Sequence, residues 1–195
     1  GNQIDTLVIM EQFGKGLVLE PFIANVVLGG GAIQSGGSEE LKKEMLPGLI
    51  EGSKQMTLAY AEQQSRFDLE DVATSARKEG DKFIINGQKS MVLNAESADH
   101  IVVVTRTSGG QVDEEGITLF LVDSNAKGLE LQNFPTVDGL RASEITFDNV
   151  EVSSERMIGE LGKGFDILRV VSNNAILAVC AEAVGAMEIL YKDTV

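Results

Sequence analysis

The chain has 195 residues, of which 43% are hydrophobic, and its 16 lysines and arginines stand against 30 aspartates and glutamates, for a net charge of −14. This composition is sufficient for the hydrophobic core of one large or two small domains. The negative charge repels polyanions, so nucleic acid and an anionic membrane surface are excluded as general partners.

The single cysteine, Cys180, excludes an intramolecular disulfide, and its apolar neighbours predict a small buried side chain in a protein of a reducing compartment, such as the cytoplasm. The opening residues, GNQIDTL, show neither the basic region nor the apolar run of a secretory leader. The longest apolar stretches are interrupted by polar residues, so we expect no membrane insertion.

Residues 4–52 have a helical pattern. Apolar side chains recur at helical spacing in IDTLVIMEQFG, and Pro21 is tolerable in the first turn of the next segment. Ser38 is typical of an N-cap, and Glu39 and Glu40 follow it in the first turn, where carboxylates favour the helix dipole. The pattern predicts three helices.

Residues 53–157 change to short segments rich in Val, Ile, Thr and Phe, separated by turn residues. Asn86 and Gly87 form the strongest hairpin turn signal, because both residues tolerate positive φ. The pattern predicts an antiparallel β-barrel or sandwich. The predicted strands lie in QMTLAYA, VATSARKE, KFIING, KSMVL, HIVVVTRT, ITLFLVD, LELQNF and EITFDNVEV.

From residue 162 the pattern is helical again and unusually apolar. Between Phe165 and Tyr191 the polar residues are too few to cover a water-facing side, so this helix belongs inside a bundle. We expect its partners to come from other chains or from sequence beyond Val195, so that the chain is a fragment or an obligate oligomer. Glu182 and Glu188 are interpreted as structural.

The residues alone nominate no catalytic pair. The glycines of LGGGAIQSGG follow no strand and precede no Lys-Ser/Thr, so they match no phosphate-binding turn. His100 is the only histidine, which leaves no two-histidine metal site and favours a satisfied strand-end side chain over a catalytic one. The fold class predicted from the residues is therefore α+β, with helical segments on both sides of the strands.

Four motifs in order go further. They are the segment LAYAEQQSRFD, the run NGQKSMVLNAESAD, then GLRAS with ITFDNVEV, and finally MIGELGKGF. Together they resemble the middle of an acyl-CoA dehydrogenase. The resemblance implies the end of an N-terminal helical domain at 1–52, a middle β-barrel domain at 53–157 and the start of a C-terminal helical domain at 158–195, in a homo- or heterotetramer.

The family resemblance also implies a reaction. A glutamate removes the α-proton of an acyl-CoA thioester, the β-hydride passes to FAD, and an electron-transferring flavoprotein takes the electrons. The base is expected beyond Val195 or, as in the isovaleryl-type branch, at a position held here by Ala175. We therefore expect no catalytic base within this chain and no turnover by it alone. The positions that match the family's flavin contacts are Leu58, Tyr60, Ala61, Met91, Val92 and Leu93.

The chain departs from the family pattern at some of these positions. Ala61 and Leu93 replace threonines and Met91 replaces tryptophan, so two hydroxyls that could bond the flavin are gone. The motif Glu-Pro-x-x-Gly-Ser-Asp is altered to residues 62–68, EQQSRFD, a variant that is similar to small subunits of pimeloyl-CoA dehydrogenase.

This altered segment carries the substrate-binding candidates Ser65, Arg66 and Phe67. Arg66 is predicted to bind an anion, either a CoA phosphate or the distal carboxylate of a dicarboxylyl-CoA. The alternative is a surface ion pair with Glu70 or Asp71.

Two other functions stay open. A non-catalytic, flavin-poor partner subunit would show the changes at residues 61, 91 and 93. A β-barrel module that binds a small ligand would use the strands alone.

Overall fold

The computed structural model describes residues 2–195, and its first quarter is helical. The helices are α1 (Gln3–Gly16), a π-helical segment (Ile23–Gly30) that continues directly into α2 (Gly31–Gly36), and α3 (Glu39–Glu51). The predicted N-cap is confirmed, because the Ser38 hydroxyl accepts a hydrogen bond from the Leu41 amide at 3.1 Å.

Eight strands follow and form one mixed sheet. Its order is β6-β7-β3-β2-β4-β5-β8, and β1 pairs in parallel with β4 outside this path. The α+β class is confirmed, and the sheet is not closed into a barrel. The strands are β1 (Met56–Ala59), β2 (Ser75–Glu79), β3 (Lys82–Leu93), β4 (His100–Arg106), β5 (Ile117–Asp123), β6 (Leu129–Pro135), β7 (Arg141–Ser153) and β8 (Met157–Ile158).

The predicted hairpin turn at Asn86 and Gly87 is wrong. Both residues lie inside β3, where the register with β7 shifts between Ile85 and Gly87. Gly87 has φ +146°, and a Cβ there would lie 2.6 Å from the Thr74 Cα. Glycine is needed at this position because the chain bulges here and the backbone of Thr74 approaches closely. The turn before β3 is made by Gly80 and Asp81 instead, with Gly80 at φ +61°.

The central strand β4 explains the run of β-branched residues after His100. Alternate side chains of a strand point to opposite faces. Val102 and Val104 pack in the core that includes the helices, whereas Ile101 and Val103 pack in a second core on the other face. Both faces of β4 are therefore covered, which is why no polar residue alternates with the apolar ones.

The last helix, α4 (Phe165–Thr194), exposes much of its apolar surface. Ile176, Leu190 and Tyr191 are each at least 60% exposed. By length and composition this helix would also suffice to cross a membrane, contrary to the expectation from the sequence, although core helices of soluble bundles can be equally long and apolar. The predicted burial of Cys180 is wrong, because the thiol lies on the exposed side of α4.

The helices that precede the sheet end at Glu51, the strands lie between Met56 and Ile158, and α4 begins at Phe165. The division into three domains at residues 52 and 157 stays a prediction.

Candidate functional site

The candidate site lies where the chain that leaves β1 runs beside the end of β3. We call residues 57–61 and 90–93 together the step. The Thr57 hydroxyl donates to the Leu93 carbonyl at 2.6 Å, and farther along the Ser90 amide donates to the Ala61 carbonyl at 2.8 Å. These bonds hold residues 57–61 antiparallel to residues 90–93. The structure thus brings together the two segments that carry the six predicted flavin contacts.

Within this step the side chains divide into two groups. Leu58 and Val92 are each 2% exposed and point into the cores, so only their backbone atoms can meet a ligand. Tyr60 is 37% exposed and Met91 is 53% exposed. Met91 lies in a bulge with φ +53°, where the register of β3 with β7 shifts, and the bulge turns its side chain outward.

A buried ion pair lies directly behind the step. Lys89 Nζ is 2.7 Å from Glu62 Oε1, and both side chains are almost fully buried. Lys89 Nζ also donates to the Tyr60 carbonyl at 3.2 Å, which ties the lysine to the β1 side. The pair therefore fixes the separation of the two segments from inside.

Glu62 has all its acceptor positions used. Besides Lys89 it accepts from the amides of Ala73 and Thr74, at 2.9 and 3.0 Å, and from the Gln64 side chain at 2.7 Å. Burial alone would raise the pKa of Glu62, but the Lys89 charge and these donors lower it below its usual value. Burial lowers the pKa of Lys89 to about 8. The carboxylate is therefore an ionised anchor for the loop that follows β1.

The same loop is held at its far end by Arg106, at the end of β4. Its guanidinium donates to the carbonyls of Glu70 and Val72 in this loop. It also donates to four carbonyls of the β4–β5 connection, those of Ser108, Gln111, Asp113 and Glu115. One buried cation therefore satisfies six backbone acceptors and joins two loops.

The three predicted substrate-binding residues lie in this loop with different exposure. Ser65 is 3% exposed and its hydroxyl bonds the Glu62 amide and carbonyl, both at 3.0 Å, so it shapes the turn. Arg66 has φ +50°, and the next side chain, Phe67, is 96% exposed. The turn thus presents a cation and an aromatic ring to solvent side by side.

The side chains of the step can hold a flat aromatic ring by van der Waals contact, but they offer few hydrogen bonds to it. Tyr60, Ala61 and Met91 offer an aromatic edge, a small methyl group and a polarisable thioether, and thioethers pack well against aromatic rings. The residues at 61 and 93 carry no hydroxyl, and the Leu93 carbonyl already accepts from Thr57. A flavin ring is therefore compatible with the step, with backbone groups and apolar contacts in place of two side-chain bonds.

Ala175 lies apart from this step, on α4, half-buried against the helix-side core. Its methyl group can neither take nor give a proton. Within residues 2–195, no cluster of three or more histidine, cysteine or acidic side chains suits a metal ion.

Sequence reasoning missed Lys89 and Arg106. Lys89 could have been found from the motifs, because Glu62 lies in LAYAEQQSRFD and Lys89 lies in NGQKSMVLNAESAD, and the two motifs carry opposite charges that can pair. Arg106 gave no local signal, since its partners are backbone carbonyls of distant loops.

A family model for the acyl-CoA dehydrogenase middle domain matches residues 57–150. These residues include both segments of the step, the Glu62–Lys89 pair and Arg106.

Curated relatives and solved structures match beyond this range. The 3-(aryl)acrylate reductase of Clostridium sporogenes is 32% identical over 82% of this chain and 43% of its own length. The cyclohex-1-ene-1-carbonyl-CoA dehydrogenase of Geobacter metallireducens is 36% identical over 82% of this chain and 44% of its own. The structure of butyryl-CoA dehydrogenase from Megasphaera elsdenii superposes with a TM-score of 0.89 at 27% identity, over 97% of this chain and 51% of that one. The chain thus spans about half the length of the proteins it matches.

Proposed function

The chain belongs to the acyl-CoA dehydrogenase family, and from that premise we propose that the protein dehydrogenates an acyl-CoA thioester between its α and β carbons with bound FAD. The observation that carries the proposal is the step of residues 57–61 and 90–93, an outward-facing apolar surface backed by a buried ion pair. A surface that must hold a rigid ring at fixed depth needs such backing.

When bound, FAD supplies the acceptor for the hydride that leaves the acyl chain. In this chain Tyr60, Ala61 and Met91 bind the ring by contact and exclude water from its face. Lys89 and Glu62 hold the two segments at a constant separation, and the buried side chains of Leu58 and Val92 stop them from twisting. The proton of the α-carbon must be taken by a group other than residue 175, because alanine stands there.

Arg66 and Phe67 are proposed to meet the substrate outside the ring. The guanidinium suits a phosphate or carboxylate, and the exposed ring offers a stacking face. The alternative pairing is weakened for Asp71, whose Oδ1 accepts from Gln111 at 2.7 Å and from Gln64 at 3.3 Å. A CoA phosphate and the distal carboxylate of a dicarboxylyl chain both fit this chemistry.

The apolar face of α4 supports assembly with further helices. We propose a homo- or heterotetramer in which this face is covered, and an electron-transferring flavoprotein as the electron acceptor. The exposed apolar side chains of α4 support the assembly, and the electron acceptor follows from the family alone.

The flavin-poor partner subunit is the second candidate, favoured by the missing hydroxyls at residues 61 and 93. The small-ligand barrel has less support, because the sheet is not closed and its second face is filled by packed side chains such as Phe83, Phe120 and Ile145.

The test is made on the complete polypeptide that carries this sequence, purified with its native partners. An enzyme is expected to retain a yellow flavin that a saturated acyl-CoA bleaches under anaerobic conditions. The substitution Ala61→Thr restores one hydroxyl and is expected to tighten FAD binding by roughly two- to tenfold. A colourless protein that takes up no added FAD would favour the partner-subunit candidate and defeat the enzyme.

A further inference from the structure

A cavity of about 210 Å³ lies between the helical layer and the end of β3. Most of its wall is apolar, and Leu93 belongs both to this wall and to the step described above. A dry apolar cavity of roughly 150 Å³ holds a benzene ring, so this one has room for the distal part of an acyl group. Its main apolar wall residues are Met10, Phe13, Phe22, Ile23, Leu93 and Leu140.

One carboxylate from α4, that of Glu182, stands in this wall. Its backbone is fixed where α1 and α4 cross, because a Cβ on Gly14 would lie only 1.9 Å from the Glu182 carbonyl oxygen. The ion pairs among residues 2–195 do not include Glu182. Burial raises the pKa of the Glu182 carboxyl, and the negative charge of Asp138 acts in the same direction.

The remaining charges of the wall do not offer a free cation. Arg141 is paired with Glu96, and Glu20, whose side chain is exposed, adds a second carboxylate. A distal carboxylate in this cavity would therefore face like charges. A hydroxyl is complementary, because it can donate to the Glu182 carboxylate.

Resting on the proposed function, we propose that Glu182 determines acyl specificity: it selects an acyl group that carries a hydroxyl in this cavity and excludes one that ends in a carboxylate. Arg66 is then left for a phosphate of CoA. Glu182 is a specificity-determining residue in this assignment and has no part in proton transfer to the α-carbon.

The test compares dissociation constants of three thioesters of equal chain length, hexanoyl-CoA, 6-hydroxyhexanoyl-CoA and adipoyl-CoA, by calorimetry on the complete FAD-loaded protein. The unmodified protein is expected to bind the hydroxy compound roughly tenfold more tightly than hexanoyl-CoA, and adipoyl-CoA most weakly. Glu182→Gln should reduce both differences, with adipoyl-CoA gaining roughly tenfold relative to hexanoyl-CoA. Asp166→Asn removes an exposed carboxylate elsewhere on α4, paired only with Arg169 of the same helix, and should leave the ratios unchanged.

Two results overturn the assignment. One is adipoyl-CoA binding more tightly than the hydroxy compound to the unmodified protein, which needs no variant. The other is a set of ratios that Glu182→Gln leaves as they were. If hexanoyl-CoA still bleaches the flavin in either case, the proposed function stands and only the role of Glu182 is lost. A protein that binds none of the three thioesters defeats both proposals.

Discussion

Two glutamates, one behind the strand step and one in the helical layer, show how differently a chain can treat the same side chain. Glu62 is 6% exposed, faces a buried lysine and accepts from two backbone amides, so its charge is satisfied by the protein itself. Glu182 borders a cavity and has no ion-pair partner among the described residues. A saturated carboxylate organises structure, whereas an unsaturated one is available to a ligand.

Removing the partner of the saturated carboxylate should have the largest effect. Lys89→Met leaves the Glu62 charge buried and uncompensated, which should lower the free energy of unfolding by about 3–5 kcal/mol. Urea denaturation measures this. The control Lys82→Met breaks the exposed pair with Glu151 and should cost less than about 1 kcal/mol. Equal losses in the two variants would contradict the structural role given to Glu62.

The position of Glu182 beside the cavity can be changed by a substitution that disturbs the contact between α1 and α4. Gly14→Ala places a methyl group against the Glu182 carbonyl, so α1 and α4 must separate, at a cost of about 1–3 kcal/mol. The hydroxyl preference of the cavity should be lost with it. The control Gly31→Ala meets only Val171 side-chain atoms at 3.7 and 3.8 Å and should be close to neutral. Thermal unfolding and thioester binding are measured for both variants. Equal effects of the two substitutions would contradict the role given to the contact between Gly14 and Glu182.

The smallest expected effect is a difference between Glu62 and Glu182 in how each makes the stability of the protein depend on pH. The pKa of Glu62 is lowered on folding, so its stabilisation is present above the ordinary carboxyl pKa and is lost as pH falls through the lowered one. The pKa of Glu182 is raised on folding, so the carboxyl costs no stability below its ordinary pKa, and its destabilising effect grows as pH rises from there through the raised pKa.

The variant Glu182→Gln is accordingly expected to be slightly more stable than the parent at neutral pH, with the difference vanishing in acid. Unfolding free energies measured across this range test it. A difference that grows in acid would contradict the raised pKa.

The sequence allowed much of the fold to be predicted, because the pattern of apolar residues changes where helices give way to strands. It led to an error at Asn86 and Gly87, since a turn signal and a bulge use the same residues and only the neighbouring strand distinguishes them. The burial of Lys89 was missed as well, because it depends on Glu62, which is 27 residues away in the other motif. The exposure of Cys180 was missed for a related reason: the apolar neighbours on α4 are themselves exposed.

The candidate site could be placed only by comparison of motifs. Periodicity predicted strands in QMTLAYA (residues 55–61) and KSMVL (residues 89–93), but not that their ends meet. The cavity beside Glu182 arises where α1, α4 and the end of β3 converge, and no local pattern encodes such a convergence.

The bonds of Arg106 have a consequence for motion. Because one guanidinium holds carbonyls of the segment after β1 and of the β4–β5 connection together, neither loop can open without releasing the other. The two loops therefore form one cooperative unit of local unfolding. The exposed turn of Arg66 and Phe67 is attached to this unit, so its rigidity is set by an arginine far away in the sequence.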